Sequence, residues 1–185
     1  MVKDILASHE ERMQKSIEAL KREFASLRAG RATPSLLDKV LVEYYGAPTP
    51  VSQIANVSVP EPRMIIIQPY EKSILHDIEV AIMKSDLGLS PNSDGTAIRL
   101  SIPSLTQERR QDLVKTVNKK TEEAKVAIRN VRRDGNDAVK KLEKSKEITE
   151  DDSKRAQESM QKLVDKYIKL VDTARDAKEK EVMGV

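Results

Sequence analysis

"QERRQDLVKTVNKKTEEAKVAIRNVRRDGNDAVKKLEKSK", residues 107–146, holds no proline and a single glycine, Gly135. Apolar or small residues recur in it every seven positions: Val114, Thr121, Ile128, Gly135 and Leu142 in one series, Val117, Ala124, Val131 and Ala138 in another. Residues at that spacing share one face of a helix, so the stretch predicts a single long helix whose stripe packs against partners. At 1.5 Å per residue it would run about 60 Å. Upstream, Leu6, Met13, Leu20 and Leu27 repeat the spacing, with Ile17 and Phe24 beside them. Downstream, after a break at "EKSKEIT" (143–149), Ala156, Met160, Leu163, Tyr167, Leu170 and Ala174 form a third stripe. Thr106 can cap the second helix, and Thr149 followed by Asp152 resembles a capping box with Asp in place of Glu. Three such helices predict an elongated bundle with supercoiled packing.

The middle of the chain has another texture. All eight prolines lie between residues 34 and 103. Proline lacks a backbone donor and blocks helix interiors, so the flanks are free to be helical and the middle is not. "KVLVEYY" (39–45), "IANVSVP" (54–60), "MIIIQ" (64–68) and "TAIRLSIP" (96–103) read as strands, with turn chemistry from "NSDG" (92–95). Ile74, Ile78, Ala81 and Ile82 have helical spacing, ended by Gly88. The predicted fold class is α+β: a discontinuous three-helix bundle (1–30 and 105–185) with a small β/α/β domain (31–104) inserted into it. Two short chain crossings join them, an arrangement that permits hinge motion.

Composition excludes much chemistry. One Phe, four Tyr and no Trp argue against a large globular core, and the absence of cysteine removes disulfides, thiol nucleophiles and cysteine metal sites. No apolar run approaches the ~18 residues of a membrane span, and no signal segment opens the chain, so a cytoplasmic protein with no membrane association is expected. His76 and Glu79 stand one turn apart, but no further ligand type clusters with them, and His9 lies alone on the first helix. No phosphate loop or nucleophile elbow is present. The expectation is no catalytic centre, no metal and no cofactor.

Charge is the informative feature. Residues 31–104 carry 6 basic and 8 acidic residues, whereas 107–146 alone carry 13 basic and 7 acidic, a local excess larger than the net +3 of the whole protein. Arg129, Arg132 and Arg133 fall within five positions, Lys125 lies one turn before Arg129, and Arg109 and Arg110 sit near the helix start. Guanidinium groups spaced by three or four residues can grip successive phosphates bidentately. The competing account is an ordinary solvated face neutralised by Glu122, Glu123, Asp134 and Asp137. Gly135 interrupts the arginines' helix at a cost of about 1 kcal/mol relative to alanine, and reads as a small residue tolerated for close packing. The residues by themselves lead to an RNA- or phosphate-binding helical protein with an appended domain, recognising shape and backbone because stacking aromatics are scarce.

Four long stretches, "LRAGRATPSLLDKVLVEYYG" (27–46), "PYEKSILHDIEVAI" (69–82), "SDLGLSPNSDGTAIRLSIPSLTQERRQDLVK" (85–115) and "IRNVRRDGND" (128–137), closely resemble the bacterial ribosome-recycling factor family. The resemblance spans essentially the whole chain. It implies an L-shaped monomer of transfer-RNA-like dimensions, with the small domain on a flexible hinge. It also implies a role after termination: with elongation factor G and GTP hydrolysis by that partner, the ribosome is split into subunits, releasing messenger and deacylated transfer RNA. By the same resemblance Arg132 contacts ribosomal RNA of the large subunit, with Arg129 and Arg133 beside it and Arg28, Arg31 and Arg110 as further contacts. Gly30, Arg31 and Ala32 form one hinge strand and Pro103, Ser104 and Leu105 the other, while Tyr44 and Tyr45 face elongation factor G. The family pattern has alanine where this chain has Gly135, so helix softening is expected there. The alternatives are a ribosome-silencing RNA-binding protein that does not split ribosomes, and a purely structural coiled-coil adaptor.

Overall fold

The structure, a computed structural model, describes residues 1–27 and 30–184. The chain divides into two compact units, Met1–Ala29 with Gln107–Val185, and Gly30–Thr106.

The first unit is a three-helix bundle of α1 (Val2–Ser26), α4 (Gln107–Lys144) and α5 (Glu150–Met183), numbered with the two helices of the other unit below. Met13, Ile17, Leu20 and Phe24 of α1 pack with Val117, Ala124, Ile128 and Val131 of α4 and Met160, Val164, Tyr167 and Val171 of α5. Burying each large apolar side chain is worth roughly 1.5–3 kcal/mol. Towards the helix ends the buried positions depart from strict heptads. Leu113 and Val139 are buried rather than Val114 and Ala138, and Val164 and Val171 rather than Leu163 and Leu170. From Leu113 to Val139 the buried stripe of α4 advances about 3.7 residues per step. That lies slightly above the 3.6 of a straight helix and well above the 3.5 of a heptad, so the left-handed supercoil implied by heptads is not imposed.

Each end of the bundle has a chemical stop. At the α4–α5 turn Lys146 adopts φ +61°. There the Lys146 N–H donates to the Glu143 carbonyl and the Glu147 N–H to that of Leu142, both at 3.0 Å, closing the last turn of α4. The capping box opens α5: the Thr149 hydroxyl oxygen accepts from the Asp152 N–H at 3.0 Å, and the Asp152 carboxylate accepts from the Thr149 N–H at 3.2 Å. Donation from Thr149, its backbone N–H first, holds the Asp152 carboxyl below its ordinary pKa. The far end of α5 stops at Gly184, φ +76°. Lys178, only 8% exposed, reaches across to the carbonyl of Leu27 and so caps α1.

The second unit contains β1 (Leu41–Tyr44), β2 (Ala47–Pro50), the single-turn α2 (Val51–Ile54), β3 (Ala55–Glu61), β4 (Met64–Pro69), α3 (Leu75–Lys84), β5 (Pro91–Ser93) and β6 (Ile98–Ser101). β1 and β2 form a separate antiparallel hairpin, and the remaining strands a four-stranded antiparallel sheet in the order β3-β4-β6-β5. The core joins Ile65 and Ile67 of β4 and Ile98 and Leu100 of β6 to Ile78 and Ile82 of α3. α3 ends at Lys84, before Gly88, and two strands escaped the sequence reading because prolines occupy them. Both are edge strands, where a missing N–H breaks no ladder.

The turn before β6 is built on Asp94. Its Oδ1 accepts from the Thr96 N–H at 2.9 Å, the Thr96 hydroxyl at 2.8 Å and the Ala97 N–H at 2.8 Å. Those donors lower its pKa from 3.8 to about 2. A depressed folded-state pKa contributes stability that is present above the unfolded value near 3.8 and lost as pH falls through about 2. Asp94→Asn is therefore expected to flatten part of the acid-induced loss of stability between about pH 4 and pH 2, read from urea midpoints of the two proteins across that range.

Candidate nucleic-acid interface

The arginines of α4 lie in two rows set by the 3.6-residue period. Arg129 and Arg133, one turn apart, are exposed. Lys125 and Arg132, two turns apart, sit at the seam with α5. Lys125 is spent there, its Nζ 2.7 Å from Asp172. Arg132 is half-buried and donates from Nη1 to the amide oxygen of Gln161 at 2.6 Å, while Gln161 donates its own Nε2 to Asp165 at 2.9 Å. Arg132 therefore leans onto α5 rather than standing outward beside its neighbours.

Two of the carboxylates expected to neutralise this face are engaged elsewhere. Asp134 is held by Arg12 of α1 at 2.9 Å, and Glu123 approaches Lys120 at 3.7 Å. Glu122 reaches Arg129 at 3.4 Å, a long and exposed contact worth less than about 1 kcal/mol. No carboxylate pairs with Arg132 or Arg133 among the described residues. Two guanidinium groups thus remain without a carboxylate partner beside each other, about two-thirds of the way along α4. Such a pair can donate to phosphate oxygens without first breaking an ion pair.

Arg110 lies elsewhere. It stands nineteen residues before Arg129 on the same helix, roughly 30 Å along the axis. It is half-buried beside Gly184, at the C-terminal end of α5, where the helix dipole favours a cation. Its buried Nε has no hydrogen-bond partner among the described residues. Arg31 is exposed, and Arg28 lies outside the described residues.

The expected hinge residues divide by their bonding. Gly30 has φ +74°, and a Cβ there would stand 3.1 Å from Leu105 Cγ, so both conformation and space call for glycine. Ala32 is buried in the core of the second unit, with its N–H on the Pro62 carbonyl at 2.7 Å. On the other strand the Ile102 N–H donates to the Arg63 carbonyl at 2.8 Å, while Pro103 and Ser104 are exposed.

Tyr44 and Tyr45 stand edge to face, ring centroids 4.5 Å apart, and share one carboxylate. Tyr44 donates to Glu71 Oε1 at 2.8 Å and Tyr45 to Oε2 at 3.1 Å. The hydrogen bonds to that anion raise both phenol pKa values. Tyr45 and Gly46 make the two-residue turn between β1 and β2, both at positive φ, +49° and +80°. A tyrosine in the left-handed region is an outlier, and this one is 82% exposed. Glu71, which holds it, was not singled out in the sequence, nor was Gln161. Neither position carries a local signal, because both partnerships join residues far apart in the chain.

Among the described residues no group of three or more His, Asp or Glu side chains could hold a metal ion, and no helix is long and apolar enough to cross a membrane.

The family model for Ribosome recycling factor matches residues 20–183. Proteins named ribosome-recycling factor in Carboxydothermus hydrogenoformans and Bacillus thuringiensis are 59% and 60% identical to this chain over the full length of both sequences. Among solved structures, the solution structure of a ribosome recycling factor aligns with a TM-score of 0.75 and 43% identity, covering 100% of this chain and 98% of that one. The T. thermophilus ribosome recycling factor, represented with E. coli elongation factor G on the E. coli post-termination complex, aligns at 0.64 with 46% identity over 98% of each chain. A three-helix bundle interrupted by a small β-rich unit, with an uncompensated arginine pair on its longest helix, thus belongs to the ribosome recycling factor family.

Proposed function

We propose that this protein binds the post-termination ribosome in the bacterial cytoplasm and, with elongation factor G and its GTP hydrolysis, splits it into subunits. It acts as a monomer, without a catalytic centre or cofactor of its own. The observation that carries the binding half is the pair Arg132 and Arg133, charged and free of carboxylates on a rigid helix. Large-subunit ribosomal RNA is the polyanion they grip, with Arg129 released from its weak contact to Glu122. Arg110, further along the same helix, serves as an additional contact, as do Arg31 and Arg28.

The mechanical half uses the inserted unit. Tyr44 and Tyr45, clamped by Glu71, present a preformed aromatic tip to elongation factor G, and strain of this kind gathers at functional sites. Bending is confined to residues outside the pinned Ala32 and Ile102, namely Gly30 and Arg31 on one strand and Pro103, Ser104 and Leu105 on the other. The anchored bundle stays on the large subunit while the driven unit moves towards the subunit bridges.

Light scattering of purified post-termination ribosomes tests this reading. The signal is expected to drop only when the protein, elongation factor G and GTP are all present. Arg132→Ala should weaken ribosome binding roughly ten- to a hundredfold, the scale of one charge-assisted hydrogen bond. Circular dichroism would confirm that the variant is folded. Binding without any drop, even with initiation factors blocking reassociation, would favour the ribosome-silencing alternative.

A further inference from the structure

We propose that Gln161 of α5 is the positioning residue for Arg132: it sets the direction of the guanidinium while leaving its charge available to a phosphate. The proposal rests on the reading of Arg132 as a ribosomal RNA contact.

The argument begins with the direction of the amide. Asp165 offers only acceptors, so the Gln161 group that faces it, at 2.9 Å, has to be the NH2. That leaves the Gln161 carbonyl oxygen turned towards α4, where it accepts from Arg132 Nη1 at 2.6 Å. The order Arg132, Gln161, Asp165 is therefore a directed relay across two helices, each bond polarising the next.

The acceptor's chemistry matters as much as its place. Other cations along this seam also have carboxylates: Lys125 pairs across it with Asp172 at 2.7 Å, and Arg175, which donates across it to the Asn118 amide at 2.8 Å, is paired with Asp176 and Glu179 of its own helix at 3.0 and 3.2 Å. Arg132 meets a neutral amide. A carboxylate in that place would form an ion pair and cancel the field a phosphate must feel, whereas an amide takes one N–H and leaves the charge intact.

A second observation agrees. The Nε of Arg132 is buried without a partner among the described residues. Buried donors are normally satisfied, so this side chain is not in the pose that serves its own hydrogen bonds best. It is in the pose in which Nη1 reaches Gln161. An arginine already ordered on folding loses less freedom when it meets its ligand, and that is how a residue which never touches RNA can raise affinity.

The test is a cycle of full-length variants binding purified ribosomes over a series of KCl concentrations. Gln161 is exposed on the helix, and leucine and glutamate are both good helix formers, so melting curves should overlay wild type. Gln161→Leu is expected to weaken binding roughly five- to tenfold. In an Arg132→Ala background the same change should have no further effect, since there is nothing left to position. Gln161→Glu should weaken binding and also lower the slope of log affinity against log salt by about one phosphate contact, as Arg132→Ala does. A purely structural role for Gln161 would leave that slope unmoved. If Arg132→Ala binds weakly but Gln161→Leu binds like wild type, or Gln161→Leu costs the same with and without Arg132, the positioning role is wrong. If Arg132→Ala itself changes neither affinity nor slope, the reading of Arg132 as an RNA contact falls, and the positioning role falls with it.

Discussion

Met160→Ala is expected to destabilise the helical unit by about 3 kcal/mol, within the 2–5 kcal/mol range of large-to-alanine changes in packed cores. Met160 is fully buried, and its thioether fills the hollow left by the missing side chain of Gly135. Truncation removes apolar contact with both neighbouring helices and leaves a cavity that long, mutually packed helices cannot collapse around. The measurement is a denaturant melt followed by circular dichroism at a helix wavelength. A loss below about 1 kcal/mol would mean that the bundle closes over the gap more readily than its packing implies.

The converse change crowds the same place. Gly135→Val is expected to cost about 3 kcal/mol, the upper part of the usual overpacking range. A Cβ at 135 would press on Met160 Cε, and would stand 3.2 Å from Met160 Sδ and from Cδ2 of His9. Gly135→Ala sets two effects against each other: about 1 kcal/mol of helix propensity is gained, and the same crowding opposes it. The sign should therefore depend on residue 160. In wild type Gly135→Ala should be neutral or destabilising, and in a Met160→Ala background stabilising, because its methyl then enters vacated space. Equal effects in both backgrounds would mean that Met160 does not set the need for glycine. Either way, the glycine is more than a tolerated weak point: α4 runs through it unbroken, and it makes room for two side chains from the other helices.

What could be read in advance follows from the range of the physics involved. Proline placement is local backbone chemistry, so the helical flanks and the β-rich middle were legible. Thr149 with Asp152 is likewise a local device, and it opens α5 as written. The central buried residues of each stripe, such as Met13, Ile128 and Met160, were legible too, since any helical period near 3.5 brings them inward. The ends were not: counting in sevens names Val114, but the helix's own period buries Leu113. Prolines hid the strands beginning at Ala47 and Pro91, and Tyr45 read as strand because tyrosine seldom takes a left-handed turn. The arginine group was visible as charge. The partner of Arg132 depends on the offset between two antiparallel helices, and one stripe of side chains does not encode that.

The pinned entry points of the inserted unit carry a consequence for how the chain folds. α1 is synthesised first, yet Met13, Ile17, Leu20 and Phe24 find partners only on α4 and α5, after the whole 30–106 stretch has been made. Closing an unfolded gap of that length costs about 0.6 kcal/mol per doubling, roughly 4 kcal/mol in all. Once the inserted unit is folded, Ala32 hangs from Pro62 and Ile102 from Arg63, and Gly30 lies against Leu105. The two ends of the gap are then already side by side. Folding of the small unit would thus act as a clasp, shortening the loop that α1 must close before its buried stripe meets α4 and α5.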